Sequence, residues 1–367
     1  MTVSGRVHRP EIKDAGPAIR AQGGTTMHYT RLAAAVLGAF VATGASAQTS
    51  TDELYEKAKA EGEVTWYVAQ FTTSIAEDIG QDFTNAYPGV NVNVIRATGQ
   101  VVYSRLAQDL RNGVAQADVF SGSDQTHLIS LKEEGNLLQF SPENGPKLRK
   151  PYLDFEPDGY WYTTSANPTV MAYNTDLVTA EEAPTNWTGL VDPKWKGKVA
   201  MSHPGFSGST GSWAVLMRRL YGDEFFEQLE ANDPLIGRSL SDPPNTLVAG
   251  ERAIGIGTLA TVTRLKNAGN PIEIIYPEDG AKLTLSGTAI PANAPHPNAA
   301  QLFVNYLLSE RASDLMVTYG LQPMRPEVAP PPGAKAIDEI NLASPTQDEL
   351  INGVQPVIEL WRRVFGA

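Results

Sequence analysis

Cysteine is absent from the 367 residues, so no disulfide framework supports the fold and an oxidising compartment holds no hazard for the chain. Basic residues are in deficit: 29 Lys and Arg face 41 Asp and Glu, a formal net charge of −12. Such an acidic balance argues against nucleic acid or an anionic membrane as partner. Catalytic motifs are lacking too. There is no P-loop, no H-E-x-x-H and no G-x-G-x-x-G on a strand. The nearest imitation of a nucleophile elbow, Gly205-Phe206-Ser207-Gly208, misses the second glycine of G-x-S-x-G, which leaves a secreted hydrolase as a minor alternative only. Tandem repeats, low-complexity tracts and heptad runs are missing, so a scaffold role has nothing to rest on. Histidine is sparse. Beyond residue 47 only His127, His203 and His296 remain, none at metal-ligand spacing from another, so neither a metal site nor a cofactor is expected.

What is present begins with an export signal. From Met27 the chain runs through His28 and Arg31 into an apolar stretch, Leu32 to Val41, and then to Ala45-Ser46-Ala47, an A-x-A cleavage site. The apolar stretch falls well short of the roughly 20 residues that span a bilayer. Residues 1–26 are expected to be a mis-called start and residues 27–47 a signal peptide, cleaved near Ala47. Removing residues 1–47 leaves 24 basic against 39 acidic residues and a chain of 320, long enough for two lobes.

Along the mature chain, Asp52–Glu61 reads as a polar helix and Val64–Val68 as a strand. Phe71–Tyr87 is an amphipathic helix with Ile75, Ile79 and Phe83 at fourfold spacing, stopped by Pro88-Gly89. A strand at Val90–Ile95, a helix at Tyr103–Leu110 and a strand at Ala117–Phe120 complete a β-α-β-α-β order, which predicts a mostly parallel sheet flanked by helices. A helix follows over Gln125–Glu134. Trp161–Asn174 reads as extended chain broken at Pro168. A second β-α region opens at Val199–Met201, with a helix over Gly211–Tyr221 and a strand at Ala253–Ile256. Thr284–Pro291 reads as a return crossing, followed by helices over Asn298–Leu308, Arg311–Tyr319 and Gln347–Phe365.

Several of these segments resemble, in order and spacing, the periplasmic solute-binding proteins of ABC importers of the iron(III), phosphonate and hexose-phosphate type. The carriers are Val64-Thr65-Trp66-Tyr67, Ala117-Asp118-Val119-Phe120, Pro193 to Val199, Phe206-Ser207-Gly208-Ser209 and Ala299 to Ser309. The resemblance implies an α/β, two-lobed periplasmic binding protein fold (type II), each lobe a mostly parallel sheet flanked by helices, with the chain crossing twice between lobes. The expected borders are 48–168 plus 286–335 for the first lobe and 169–285 plus 336–367 for the second. It further implies a monomer that captures a small-molecule ligand between the lobes in the periplasm and delivers it to an inner-membrane ABC permease. Iron-binding members carry adjacent tyrosines after the strand equivalent to Ala253–Ile256. Here that place reads Gly257-Thr258-Leu259-Ala260-Thr261, which lacks the phenolates a ferric ion needs. A small anion such as a phosphonate, phosphate ester or carboxylate is therefore the first expectation. A ferric ion held by non-tyrosine ligands or a synergistic anion is the alternative.

The candidate ligand contacts follow from strand ends. In open α/β sheets ligands bind beyond the carboxyl ends of the strands. That selects Gln70, Thr72 and Thr73 after the first strand, and Ser121, Ser123 and Asp124 after the third. In the second lobe, Ser207, Gly208, Ser209 and Thr210 sit at a helix start, where unpaired backbone N–H groups and the helix dipole favour an anion. Asn245, expected just before a helix over Thr246–Gly250, and Thr258 complete the set. For Thr72, Thr73, Asp124 and Ser207, ordinary helix capping is the competing role. Tyr103, Trp161 and Tyr162 could supply an aromatic wall but read first as core or rim.

Overall fold

Helix and strand alternate from the first described residue, and local capping explains where many of the helices begin. The computed structural model describes residues 50–366 apart from 115, 151 and 154; the expected mis-called start, signal peptide and cleavage site lie outside the described residues. Helix α1 (Thr51–Glu61) is capped by Ser50, whose side chain accepts the Glu53 N–H, and ends at Gly62, whose φ of 83° suits glycine. Strand β1 (Glu63–Val68), α2 (Thr73–Ala86), β2 (Asn91–Arg96), α3 (Gly99–Arg111), β3 (Val119–Gly122) and α4 (Gln125–Glu133) follow. A long strand β4 (Trp161–Asn174) leads to β5 (Val199–Ser202), α5 (Gly208–Tyr221), α6 (Glu224–Ala231), β6 (Leu235–Gly237), α7 (Asp242–Val248), β7 (Ile254–Thr258), α8 (Leu259–Asn267) and β8 (Ile272–Ile275). Then come β9 (Ala281–Ala289), α9 (Pro297–Leu307), α10 (Glu310–Thr318), β10 (Leu342–Ala343) and α11 (Gln347–Phe365).

The sheet order is β2-β1-β3-β9-β4-β7-β5-β6, with β10 beside β9 and β8 beside β4. β1, β2 and β3 are mutually parallel, as are β5, β6 and β7. Between these two parallel sets lie β4 and β9, antiparallel to each other and to their outer neighbours. They are the two crossing strands of the two-lobed periplasmic binding protein fold, and both are buried along nearly their whole length. Pro168 does not break β4. It pairs with Leu283 on β9 one residue before pairing with β7 begins at Thr169, a handover point where a missing N–H costs little.

Apolar packing forms around both parallel sets. Trp66, Phe83 and Phe303 meet edge to face with ring centroids 5.0 Å apart in the pairs Trp66–Phe303 and Phe83–Phe303. A second core gathers Trp187, Trp213, Phe226 and Trp361, all fully buried. Each such side chain stabilises the fold by roughly 1.5–3 kcal/mol. The first core also takes in Leu259, Val262 and Leu265 of α8, so apolar packing runs past the residue numbers expected as lobe borders.

α11 occupies the span expected of it, Gln347–Phe365. A capping box sets its start: Thr346 accepts the Glu349 N–H while Glu349 accepts the Thr346 N–H. It packs on α5 through small residues, a Cβ at Gly353 falling 3.1 Å from Val215 and one at Gly211 falling 3.7 Å from Val354. This contact brings the first half of α11 beside the start of α5 and so shapes the site.

Candidate functional site

The carboxyl ends of the parallel strands place the predicted turns as the topology requires. β1 and β3 are neighbours in register Val68↔Ser121, so the turns beginning at Ala69 and Ser123 emerge side by side. β5 and β7, in register Ala200↔Gly255, release the segments leading to α5 and α8 at one sheet end.

A cavity of about 370 Å³ opens where these ends meet the crossing strands and α11. Its size lies in the lower part of the range of small-molecule sites, about 300–1,000 Å³. Ser123 to Thr126 form one side with Phe155 and Trp161, Gly208 and Ser212 of α5 another, Lys282 to Leu285 of β9 the floor, and Ser344, Gln347, Leu350 and Val354 the rest. Of the residues chosen from sequence, Ser123, Asp124 and Gly208 line this cavity.

The other candidates have definite places. Thr72 caps α2 by accepting the Ile75 N–H, and Thr73 beside it is exposed. Ser207 caps α5 by accepting the Thr210 N–H at 3.3 Å, and Thr258 caps α8 by accepting the Thr261 N–H at 3.2 Å. Thr210 is fully buried, its hydroxyl 2.5 Å from that of Ser202. Ser209 is half-buried, and its backbone carbonyl accepts from Ser212. Ser121 lies in the interior, where its hydroxyl accepts the Trp66 indole N–H and meets Thr288, both at 2.7 Å. Gln70 keeps both amide heavy atoms buried without a hydrogen bond, a donor and an acceptor left unpaired beside β1. Asn245 does not precede its helix. Pro243 and Pro244 start the helix earlier, α7 beginning at Asp242, so Asn245 lies inside it, exposed and bonded back to the Ser241 carbonyl.

Asp124 lines the cavity but is engaged locally. Its Oδ1 accepts from the Thr126 backbone N–H at 3.0 Å and the Thr126 hydroxyl at 2.6 Å, and Oδ2 lies 3.7 Å from His127 Nε2. The His127 ring stacks on Tyr103 at 3.9 Å, and burial lowers its pKa against the opposing pull of Asp124. Of the three aromatic candidates only Trp161 reaches the cavity. Tyr103 is spent on His127, and Tyr162 donates to the Phe140 carbonyl.

Sequence reasoning missed the residue with the strongest chemistry. Lys282, near the start of β9, is 3% exposed, and its Nζ donates to Thr284 Oγ1 at 2.8 Å. Among the described residues no carboxylate forms an ion pair with it, and burial alone pushes its pKa down to about 7. Thr169 pairs directly with Lys282 on β4, so the two side chains share a face, and the Thr169 hydroxyl is buried without a partner. The Trp161 indole N–H is likewise buried and unpartnered. A charged residue inside an otherwise apolar run, Ala281-Lys282-Leu283-Thr284-Leu285, was the available signal. A buried cation costs several kcal/mol unless an anion compensates it. The cavity thus presents one ammonium, uncommitted donors and an apolar wall.

Residues 78–341 match the bacterial extracellular solute-binding proteins. The chain belongs to that family. Iron uptake protein A2 of Synechocystis sp. is 26% identical over 247 residues, covering 60% of this chain and 68% of the relative. Iron-bound HitA from Pseudomonas aeruginosa superposes with a TM-score of 0.71 at 22% identity, covering 82% of this chain and 99% of that one. AfuA from Actinobacillus pleuropneumoniae, solved with fructose-6-phosphate, gives 0.70 at 22% identity, covering 83% and 99%. Membership makes this chain a solute-binding protein of the kind that serves ABC importers. Among the described residues no helix is long and apolar enough to cross a membrane, and no group of three or more His, Asp or Glu is arranged to hold a metal ion.

Proposed function

We propose that the mature chain, beginning near Gln48 after export to the periplasm, captures a small organic anion in the 370 Å³ cavity and delivers it as a monomer to an inner-membrane permease. The observation that carries this reading is Lys282: a buried ammonium on a crossing strand, lining the cavity, with no carboxylate partner. An anion entering there gains a charge-assisted hydrogen bond and relieves the cost of the buried charge. Gly208 at the start of α5 adds backbone donors and the positive end of a helix dipole. Ser123 and Ser212, which line the cavity, supply orientation. β4 and β9 are the hinge strands of this proposal, with the ligand shifting an equilibrium between open and closed lobes.

A ferric cargo fits these residues less well. Thr258 caps α8 where iron-binding members place tyrosines, and the cavity carries an ammonium that repels a cation. Native mass spectrometry of the protein purified from periplasm without refolding tests the reading. An organic anion as the bound mass is the expected result; a metal ion or a polyamine would overturn it.

A further inference from the structure

The cavity wall is as informative as its charge. We infer that the solute is amphipathic, a monocarboxylate with an apolar aliphatic or aromatic body, rather than a sugar phosphate or inorganic anion. This rests on the anionic reading above and narrows it.

Three observations carry the inference. First, the charge count is small. Among the described residues Lys282 is the one cationic residue lining the cavity, and the Asp124 carboxylate lines it as well. A monocarboxylate brings a single negative charge, whereas a phosphate monoester brings about −1.5 to −2 at neutral pH. Arg forks suit the several acceptor oxygens of a phosphate, and among the described residues no arginine lines this cavity. Second, part of the lining is apolar. Ile129 and Phe155 stand with Trp161 on one side, and Leu350 and Val354 of α11 on the other. Sugar hydroxyls placed against those side chains would lose hydrogen bonds to water without replacement, which disfavours them. Third, an ammonium and two hydroxyls stand together at the start of β9. Lys282 and Thr284 lie two residues apart on one face of β9, and Thr169 pairs with Lys282 on β4. One carboxylate can accept from the ammonium and from a hydroxyl there while its body fills the rest of the cavity.

Calorimetric titration of the purified full chain at pH 6 with phenylacetate, hexanoate, acetate, phenylacetamide, glucose 6-phosphate and inorganic phosphate tests this. Phenylacetate or hexanoate should bind at least tenfold more tightly than acetate, which lacks the body, and than either phosphate compound. Phenylacetamide, isosteric but neutral, should bind at least tenfold more weakly than phenylacetate. Leu350→Ser should weaken phenylacetate severalfold while leaving acetate unchanged. Lys282→Met, whose folding is checked by its melting curve, should lose the preference for acid over amide. Tighter binding of glucose 6-phosphate or inorganic phosphate, dependent on Lys282, overturns the amphipathic inference and leaves the anionic reading standing. Equal binding of phenylacetate and phenylacetamide overturns both, as does equal affinity of wild type and Lys282→Met for the acid. No measurable binding by either phenylacetate or hexanoate also overturns the inference.

Discussion

If Lys282 is the counter-charge of the solute, affinity must depend on pH in a way that its burial dictates. Its pKa is pushed down to about 7 by burial, so in the ligand-free protein the ammonium is mostly protonated at pH 6 and mostly neutral at pH 8. An anion bound beside it holds the proton on. Affinity should therefore be nearly flat below pH 6.5 and fall by about tenfold between pH 6 and pH 8, a factor of ten per unit once the free lysine titrates. At pH 8 each binding event should take up about 0.9 proton, and at pH 6 about 0.1. The charged or titratable neighbours do not mask this. Among the described residues Asp124 is the other charged residue lining the cavity, and burial lowers the pKa of His127, moving protonation of that ring to lower pH and away from the range in which Lys282 titrates. Calorimetry at both pH values, in two buffers of different ionisation enthalpy, reads affinity and proton uptake together. The stability of the ligand-free protein runs the other way. The folded state releases the lysine proton at a lower pH than the unfolded state does, so stability rises as pH climbs from about 7 toward 10.5. The cost of the buried ammonium at pH 7 is on the order of 4 kcal/mol, and Lys282→Met should raise the melting temperature while abolishing the pH dependence of binding. Affinity that stays level from pH 6 to 8, with no buffer-dependent heat, would refute the reasoning.

Three further outcomes follow from geometry. Ser207→Ala removes the cap of α5 and should cost about 0.5–2 kcal/mol of stability in a denaturant titration; a separate loss of affinity would show that the hydroxyl also donates to the solute. Gly287→Ala would place a Cβ 2.4 Å from Leu128 and 2.9 Å from Trp161, which should destabilise the fold by about 1–3 kcal/mol and shift the indole that lines the cavity, weakening binding. Asp82 is held below the usual carboxylate range by its hydrogen bonds from Arg311 and then Tyr306, so its contribution is present above about pH 4 and lost as pH falls below that. Asp82→Asn should cost about 1 kcal/mol at pH 7, and melting curves of the two proteins should converge near pH 2.

The helices with strong local signals were legible from sequence. α11 carries a capping box and an apolar stripe, and its expected span matches the structure. α3 begins at Gly99, four residues before its expected start, because Gly99 and the β-branched Val101 and Val102 read as non-helical while burial of Val102 favours the helix. α6, β6, α8, β8 and β10 went unread, being short elements fixed by neighbours rather than by pattern. The site was harder still. Thr72, Asp124, Ser207 and Thr258 are all helix caps, and a cap that faces a cleft has the same residue type as one that does not. Ser123 and Asp124, chosen because strand ends converge by topology, and Gly208, chosen at a helix start, line the cavity. Lys282 was not chosen, because the return crossing was read as starting at Thr284, whereas β9 begins at Ala281 and its pairing with both β4 and β10 covers the lysine. Its meaning comes from burial, which no periodicity in the sequence displays.

The central claim is that this lysine meets the solute's charge. A crystal structure of the protein purified from periplasm without refolding tests it directly. The account predicts a solute in the cavity with an anionic oxygen about 2.7–2.9 Å from Lys282 Nζ. A solute bound away from Lys282, or one whose apolar part or positive charge faces that nitrogen, would contradict it.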